Sequence, residues 1–326
     1  MKSIIKTLMV TNYKLIKWLL QIAFTIFLFY FTIQQIEVER LREILLEIKL
    51  LPLLGIPVLL FVNMVVSGYR IFALYRFYGI KANLVHVCMT RFQGFFFALL
   101  FPLLGDAYKV QTFKTRYGST YGKNSFVLLV DKIIYIFALT IIIAPVWIFG
   151  IIDIDIIFQI AIVALLLLEV IVLYLVNKPR IIELILRRFK ILHKKLESFQ
   201  IKFVARKNFY REVSKNTLVA LGRHGLIALT YLLIAYTVIH DINFNIILFI
   251  FIVFSVMLAK IIPVSVGGIG LREYIAVMLF PQAGVETEYA FTVAFLISSV
   301  VIIQGILGGI SFMAGRLFKI NKKVID

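Results

Sequence analysis

In apolar surroundings an anion can be held by fixed cations and by donors such as free backbone N–H groups, and the run Ile261–Glu273 offers both. It reads Ile-Ile-Pro-Val-Ser-Val-Gly-Gly-Ile-Gly-Leu-Arg-Glu and follows Lys260 directly, within an otherwise apolar stretch. Pro263 removes a backbone donor and ends a regular helix. Gly267, Gly268 and Gly270 permit backbone conformations and close approaches that other residues forbid. Broken backbone at membrane depth survives only where protein or a water-filled cavity satisfies its polar groups. The run, Ser265 included, is therefore expected to line a cavity with a charged wall. Arg272 and Lys260 can pair with a phosphate there, assisted by N–H groups near Gly267–Gly270. The plainer alternative is a proline-kinked turn from which Arg272 snorkels to the surface.

A second broken run is Phe101-Pro-Leu-Leu-Gly-Asp-Ala-Tyr-Lys109, with Pro102 and Gly105 supplying the turn beside Asp106 and Lys109. Arg91, Asp131, Lys132 and Glu169 add further charges within apolar segments. Such charges are costly and usually mark a substrate or ion path. Asp106, Asp131 and Glu273 are suited to holding the cations in place or exchanging protons. The alternative, above all for Asp131 and Lys132, is a set of structural ion pairs.

The elements that must position these residues follow from composition. Hydrophobic residues make up 62% of the 326, and mean hydropathy is +0.99, so the chain is an all-α polytopic membrane protein forming a single integral membrane domain over 1–326. The net charge of +18 belongs to cytoplasmic loops rather than to nucleic-acid binding. Cys88 is the one cysteine, and His86, His193, His224 and His240 lack metal-ligand spacing, so neither a metal nor another cofactor is expected.

Taken in order, Lys2, Lys6, Lys14 and Lys17 place the N-terminus in the cytoplasm before a retained first span, Trp18 to Ile33. Gln34–Lys49 reads as an amphipathic helix on the outer surface. Spans follow at about Leu50–Ser67, Ser125–Phe149, Ile156–Val176, Thr217–Ile239 and Tyr289–Ala314. Arg70, Arg76 and Lys81 mark the inside, and the acidic loop Gly150–Asp155 marks the outside. The segment 178–215 carries twelve basic residues against three acidic ones and reads as cytoplasmic, facing anionic headgroups or simply fixing topology. Arg316, Lys319, Lys322 and Lys323 put the C-terminus inside as well.

Ala82–Ala107 has basic flanks on both sides and is too short for two spans, so a re-entrant hairpin from the cytoplasm is expected; the alternative is one span of irregular topology. Ile246–Phe280 has non-basic flanks on both sides and mirrors it from outside. The expected total is about six full spans plus two opposed re-entrant hairpins, which can also be counted as eight transmembrane helices, with a candidate inverted repeat. Pro102…Gly105-Asp106 answers Pro263…Gly267-Gly268, a pattern that points to a transporter site near the midplane. Gly305, Gly308, Gly309 and Gly315 favour close helix packing in the last span.

Three segments together carry a resemblance. Phe101–Lys109, Asp131-Lys132 and Pro263-Val-Ser-Val-Gly-Gly-Ile-Gly-Leu-Arg-Glu273 resemble the membrane domain of lysylphosphatidylglycerol synthase/flippase proteins and its stand-alone flippase-like relatives, over about Trp18 to Ala314. The chain departs from that family in having Lys109 and Lys132 where arginine is usual and one glycine before Asp106. Lysine keeps the charge but loses the planar fork that grips phosphate at two points. No aminoacyl-transfer domain follows the last span within these residues, so the resemblance implies lipid translocation or binding, not lipid aminoacylation.

The expected function is thus a flippase or scramblase, not an enzyme, acting on a phospholipid or polyprenyl-phosphate-linked lipid in the cytoplasmic membrane. Anionic membrane lipids are its expected partners, with a homo-oligomer or a partner synthase as further ones. Two other classes stay open. An intramembrane lipid-modifying enzyme would need an acidic metal cluster or an activated nucleophile, and the sequence offers neither. A non-transporting scaffold would recruit a lipid or glycan synthase through 178–215.

Overall fold

The computed structural model describes residues 19–100, 102–152, 155–178, 180–181, 206–239, 244–259, 265 and 268–325. These form helices joined by turns, with no strand among the described residues. The helices are α1 (Leu19–Ile33), α2 (Val38–Leu46), α3 (Leu50–Leu53), α4 (Gly55–Phe77), α5 (Leu84–Leu100) and α6 (Pro102–Tyr117). There follow α7 (Tyr121–Ile148), α8 (Ile156–Val176), α9 (Phe209–Val238), α10 (Ile246–Ala259), α11 (Leu271–Leu279) and α12 (Thr287–Ile325), with a 3₁₀ turn at Phe280–Ala283. Five helical stretches are long and apolar enough to cross a membrane, or six if the pair α1 and α2, bent by 91°, is one span.

The long helices run between two hydrophobic clusters at opposite ends of the bundle. One cluster takes Ile56 from α4, Ile143 and Val146 from α7 and Val238 from α9. The other takes Leu74 and Tyr75 from α4, Phe126 from α7 and Phe209 from α9. The termini of each element have local causes. Thr120 caps α7 by accepting from the Lys123 N–H, and Asp155 caps α8 by accepting from the Ile157 N–H at 2.8 Å. α4 stops where Gly79 takes φ +74°, a conformation that residues with a Cβ rarely adopt.

Two helix hairpins sit between the long helices. In the first, α6 folds back along α5. The Asn83 N–H meets the Tyr117 hydroxyl at its mouth, and Tyr108 donates to Gln93 at 2.5 Å further in. The arms approach closely because Gly105 lies against Gly94; a Cβ on Gly105 would sit 2.7 Å from the Gly94 carbonyl. In the second, α10 runs in and α11 runs back. The Asn245 N–H donates to the Ala283 carbonyl at 2.8 Å, and Phe249 stacks on Phe280 at 4.5 Å. The first mouth, with Val87 and Phe113, belongs to the cluster around Tyr75. The second, with Phe249 and Phe280, belongs to the cluster around Ile143. The hairpins therefore enter the bundle from opposite ends.

The two ends differ in charge. Arg76, Lys81, Lys114, Arg116, Lys123 and Arg206 surround the first mouth, whereas Asp155, Glu286 and Glu288 lie at the other end. There α2 straps the bundle: Arg40 pairs with Glu286 at 3.2 Å, and the Glu37 N–H reaches Glu288. Of the four glycines expected to favour close packing in the last span, Gly305, Gly308 and Gly309 meet α5 closely and Gly315 does not. Gly308 lies against the Phe92 carbonyl and Gly305 against Leu99, leaving no room for a Cβ, so α12 rests directly on α5. Only parts of the basic stretch 178–215 fall within the described residues; 182–205 lie outside them.

Candidate functional site

A cavity of about 140 Å³ lies at the mid-length of the long helices. Asn63 and Ser67 come from α4, Tyr135 from α7, Arg223 and Tyr231 from α9, and Gln304 from α12. Both hairpins reach it, the first through Phe95 on α5, the second through Met257 on α10 and Arg272 on α11. A space of that size admits several waters or a small headgroup.

The tip of the second hairpin explains how Arg272 comes to face this space. Gly268 and Gly270 take φ +83° and +80°, and a Cβ on Gly270 would lie 2.9 Å from the Thr25 carbonyl of α1. The chain can turn sharply against α1 only because glycine stands there. α11 then starts at once, and Glu273 accepts from the Gly270 N–H at 2.7 Å, where a carboxylate also suits the positive end of the helix dipole. Arg272 donates to the Ser298 hydroxyl of α12 at 2.6 Å, and that hydroxyl donates to the other oxygen of Glu273. Arg272 and Glu273 are both buried. Adjacent helical residues face apart, so Arg272 and Glu273 do not pair directly. Ser298 bridges them from a second helix.

Two more arginines stand behind the Tyr135 wall. Arg70 is 1% exposed, pairs with Asp131 at 2.9 Å, and also donates to the Asp131 backbone carbonyl. Arg91 lies 4.0 Å from the same carboxylate and feels the charge of Arg223. Arg223 itself donates to Asn63 at 2.9 Å and covers the Tyr135 ring at 4.8 Å. Four guanidinium groups thus meet two carboxylates, Asp131 and Glu273, among the described residues of this region. The imbalance leaves net positive charge around a largely buried space.

The remaining expected residues fall elsewhere. Asp106, at the start of α6, pairs with Lys109 at 2.6 Å and with Lys132 of α7. Asp106 and Lys132 border a groove of about 580 Å³ between α6 and α7, where Lys132 stays half exposed. Asp131 and Lys132, adjacent in sequence, point in different directions: the first to Arg70, the second to Asp106. Glu169 is buried against α7, away from any of these cations. Ser265 is buried with its hydroxyl unpartnered. Pro102 opens α6 at the fold-back. Lys260, Pro263 and Gly267 lie outside the described residues.

Sequence reasoning missed two members. Arg70 read as a loop marker because the span was expected to end at Ser67, yet α4 continues to Phe77 and carries Arg70 inward. Arg223 stands with His224 in the middle of a 30-residue apolar helix, a placement that the cost of intramembrane charge would have flagged.

Fold and site together define a multi-pass helical membrane protein with a cationic cavity between two opposed hairpins. The family described as lysylphosphatidylglycerol synthase TM region matches residues 18–309, and the chain belongs to it. No curated protein matches the chain.

Proposed function

We propose that this protein is a lipid transporter, a flippase or scramblase, which passes the headgroup of an anionic phospholipid or polyprenyl-phosphate-linked lipid through the cavity while the tails stay in the bilayer. The observation that carries the proposal is the excess of guanidinium over carboxylate around a mid-depth space walled by both hairpins. Arginine stays charged at membrane depth, and its planar fork matches phosphate oxygens at two points. The hairpins are then re-entrant, and the basic end is cytoplasmic, along with both termini, in the cell membrane. Transport rather than catalysis is the reading, because binding and release of a phosphate need only the cations and amides that line the space. Its ligand is a lipid, with a homo-oligomer or a partner synthase as further associates.

A photoactivatable anionic phospholipid tests the proposal in vesicles holding the intact protein. Cross-links are expected on the cavity-lining turns of α4, α9 and α12, with competition by unlabelled phosphatidylglycerol and little by phosphatidylcholine. Cross-links confined to the outer surface, or equal competition by both lipids, would contradict it.

A further inference from the structure

α8 packs chiefly on α7, and most of its surface, including Ile157, Ile160, Leu167, Leu168 and Ile171, is exposed as expected of a lipid-facing span. One carboxyl breaks that pattern. Glu169 is 6% exposed and turned onto α7, where its Oε1 lies 3.2 Å from the Thr140 hydroxyl. Its Oε2 is enclosed and has no hydrogen-bond partner.

Among the described residues no cation pairs with it. Of the charged and titratable groups on α7, Asp131 faces Arg70, Lys132 faces Asp106, and Tyr135 lies under Arg223. From α9, His224 faces the Tyr135 carbonyl and Glu212 faces Asn216. An ionised carboxylate left alone at membrane depth is among the costliest arrangements a protein can hold.

The hydrogen-bond geometry points the same way. Thr140 Oγ1 lies 3.0 Å from the Ile136 carbonyl and 3.2 Å from Glu169 Oε1. A hydroxyl has one proton, so it cannot serve both acceptors fully. With Glu169 ionised, one of them goes short while Oε2 stays bare. With a proton on Oε1, the carboxyl donates to Thr140, Thr140 donates to the Ile136 carbonyl, and Oε2 remains as an uncharged carbonyl oxygen. Only the second arrangement lets the Thr140 hydroxyl accept and donate at once and leaves no buried charge.

We propose that Glu169 is a membrane-embedded proton-binding site, occupied at neutral pH, whose proton is the ion coupled to lipid movement. The proton is taken up and released as H⁺ from water, with no other bond made or broken. Release requires the carboxylate to reach water or a cation, and hence α8 to shift on α7. The coupling half of the proposal rests on the transport reading above; the proton site does not.

Infrared difference spectroscopy on the full chain in phospholipid vesicles tests the site directly. At neutral pH the wild-type protein is expected to show the carbonyl band of a protonated carboxyl, sensitive to deuterium exchange and lost in Glu169→Gln. Thr140→Val, which keeps the shape and removes the acceptor, is expected to move that band to higher frequency. Absence of a band assignable to Glu169, or a band unmoved by Thr140→Val, would overturn the site. In the same vesicles an imposed pH gradient is expected to change the rate of fluorescent phosphatidylglycerol transfer in the wild type and not in Glu169→Gln. An unaltered gradient response in Glu169→Gln would overturn the coupling. Presence of the band in a protein that moves no lipid under any gradient would sink the transport reading and uphold the proton site.

Discussion

Ser298 links a guanidinium to a carboxylate where neither reaches bulk water. Ser298→Ala removes the acceptor for Arg272 and the donor for Glu273 in one step, leaving two buried charged groups short of a partner. Such a loss costs about 1–3 kcal/mol. Thermal unfolding in detergent is expected to show a lower midpoint for Ser298→Ala; an unchanged midpoint would mean that the bridge contributes nothing. Asp106 is a different case, since it serves two lysines from one carboxylate. Asp106→Asn keeps the shape and frees both cations, and it is expected to slow lipid transfer while the protein still inserts and purifies. Transfer at the wild-type rate would assign Asp106 a purely structural role. Lys109 and Lys132 stand in that triad as point charges, which suits pairing with a carboxylate better than gripping a phosphate at two points.

The second hairpin depends on two glycines that no side chain can replace without strain. Gly270 combines φ +80° with a backbone contact to α1. Gly270→Ala is expected to cost about 1–3 kcal/mol for the backbone conformation alone, and more if α1 is displaced. A thermal midpoint equal to wild type would contradict that account. How much of this was legible in the sequence varied from element to element. Ile156–Val176 was readable to the residue, because Asp155 caps one end and the apolar run stops at Asn177. The breaks at Pro102 and around Gly268–Gly270 were readable because proline and glycine act locally. Arg70 was not, because helix ends are set by what the chain packs against. α4 runs on past Ser67 since Ile71, Leu74 and Tyr75 are buried in the cluster at that end. The bridge at Ser298 was beyond reach for the same reason: it joins residues 25 and 26 positions apart through a contact between two helices.

At the scale of the molecule, the opposed hairpins give a clear expectation of sidedness. Cys88 is buried at 7% exposure, so the natural protein offers little background to a thiol reagent. Cysteines placed at Lys81 and Lys114 are expected to label from one face of the membrane only, and those at Asn245 and Glu286 only from the other. Labelling of either pair from opposite faces would make that hairpin a full span. The cationic cavity lies between the hairpins, and Arg272 is the charged residue that the second hairpin brings to it. The most direct measurement is therefore the transfer of fluorescent phosphatidylglycerol and of a labelled polyprenyl phosphate across vesicles holding wild type, Arg272→Lys or Arg272→Ala, each checked for folding. Transfer is expected to fall in Arg272→Lys, which keeps the charge without the fork, and nearly to vanish in Arg272→Ala. Folded Arg272→Ala moving both lipids at the wild-type rate would contradict the account.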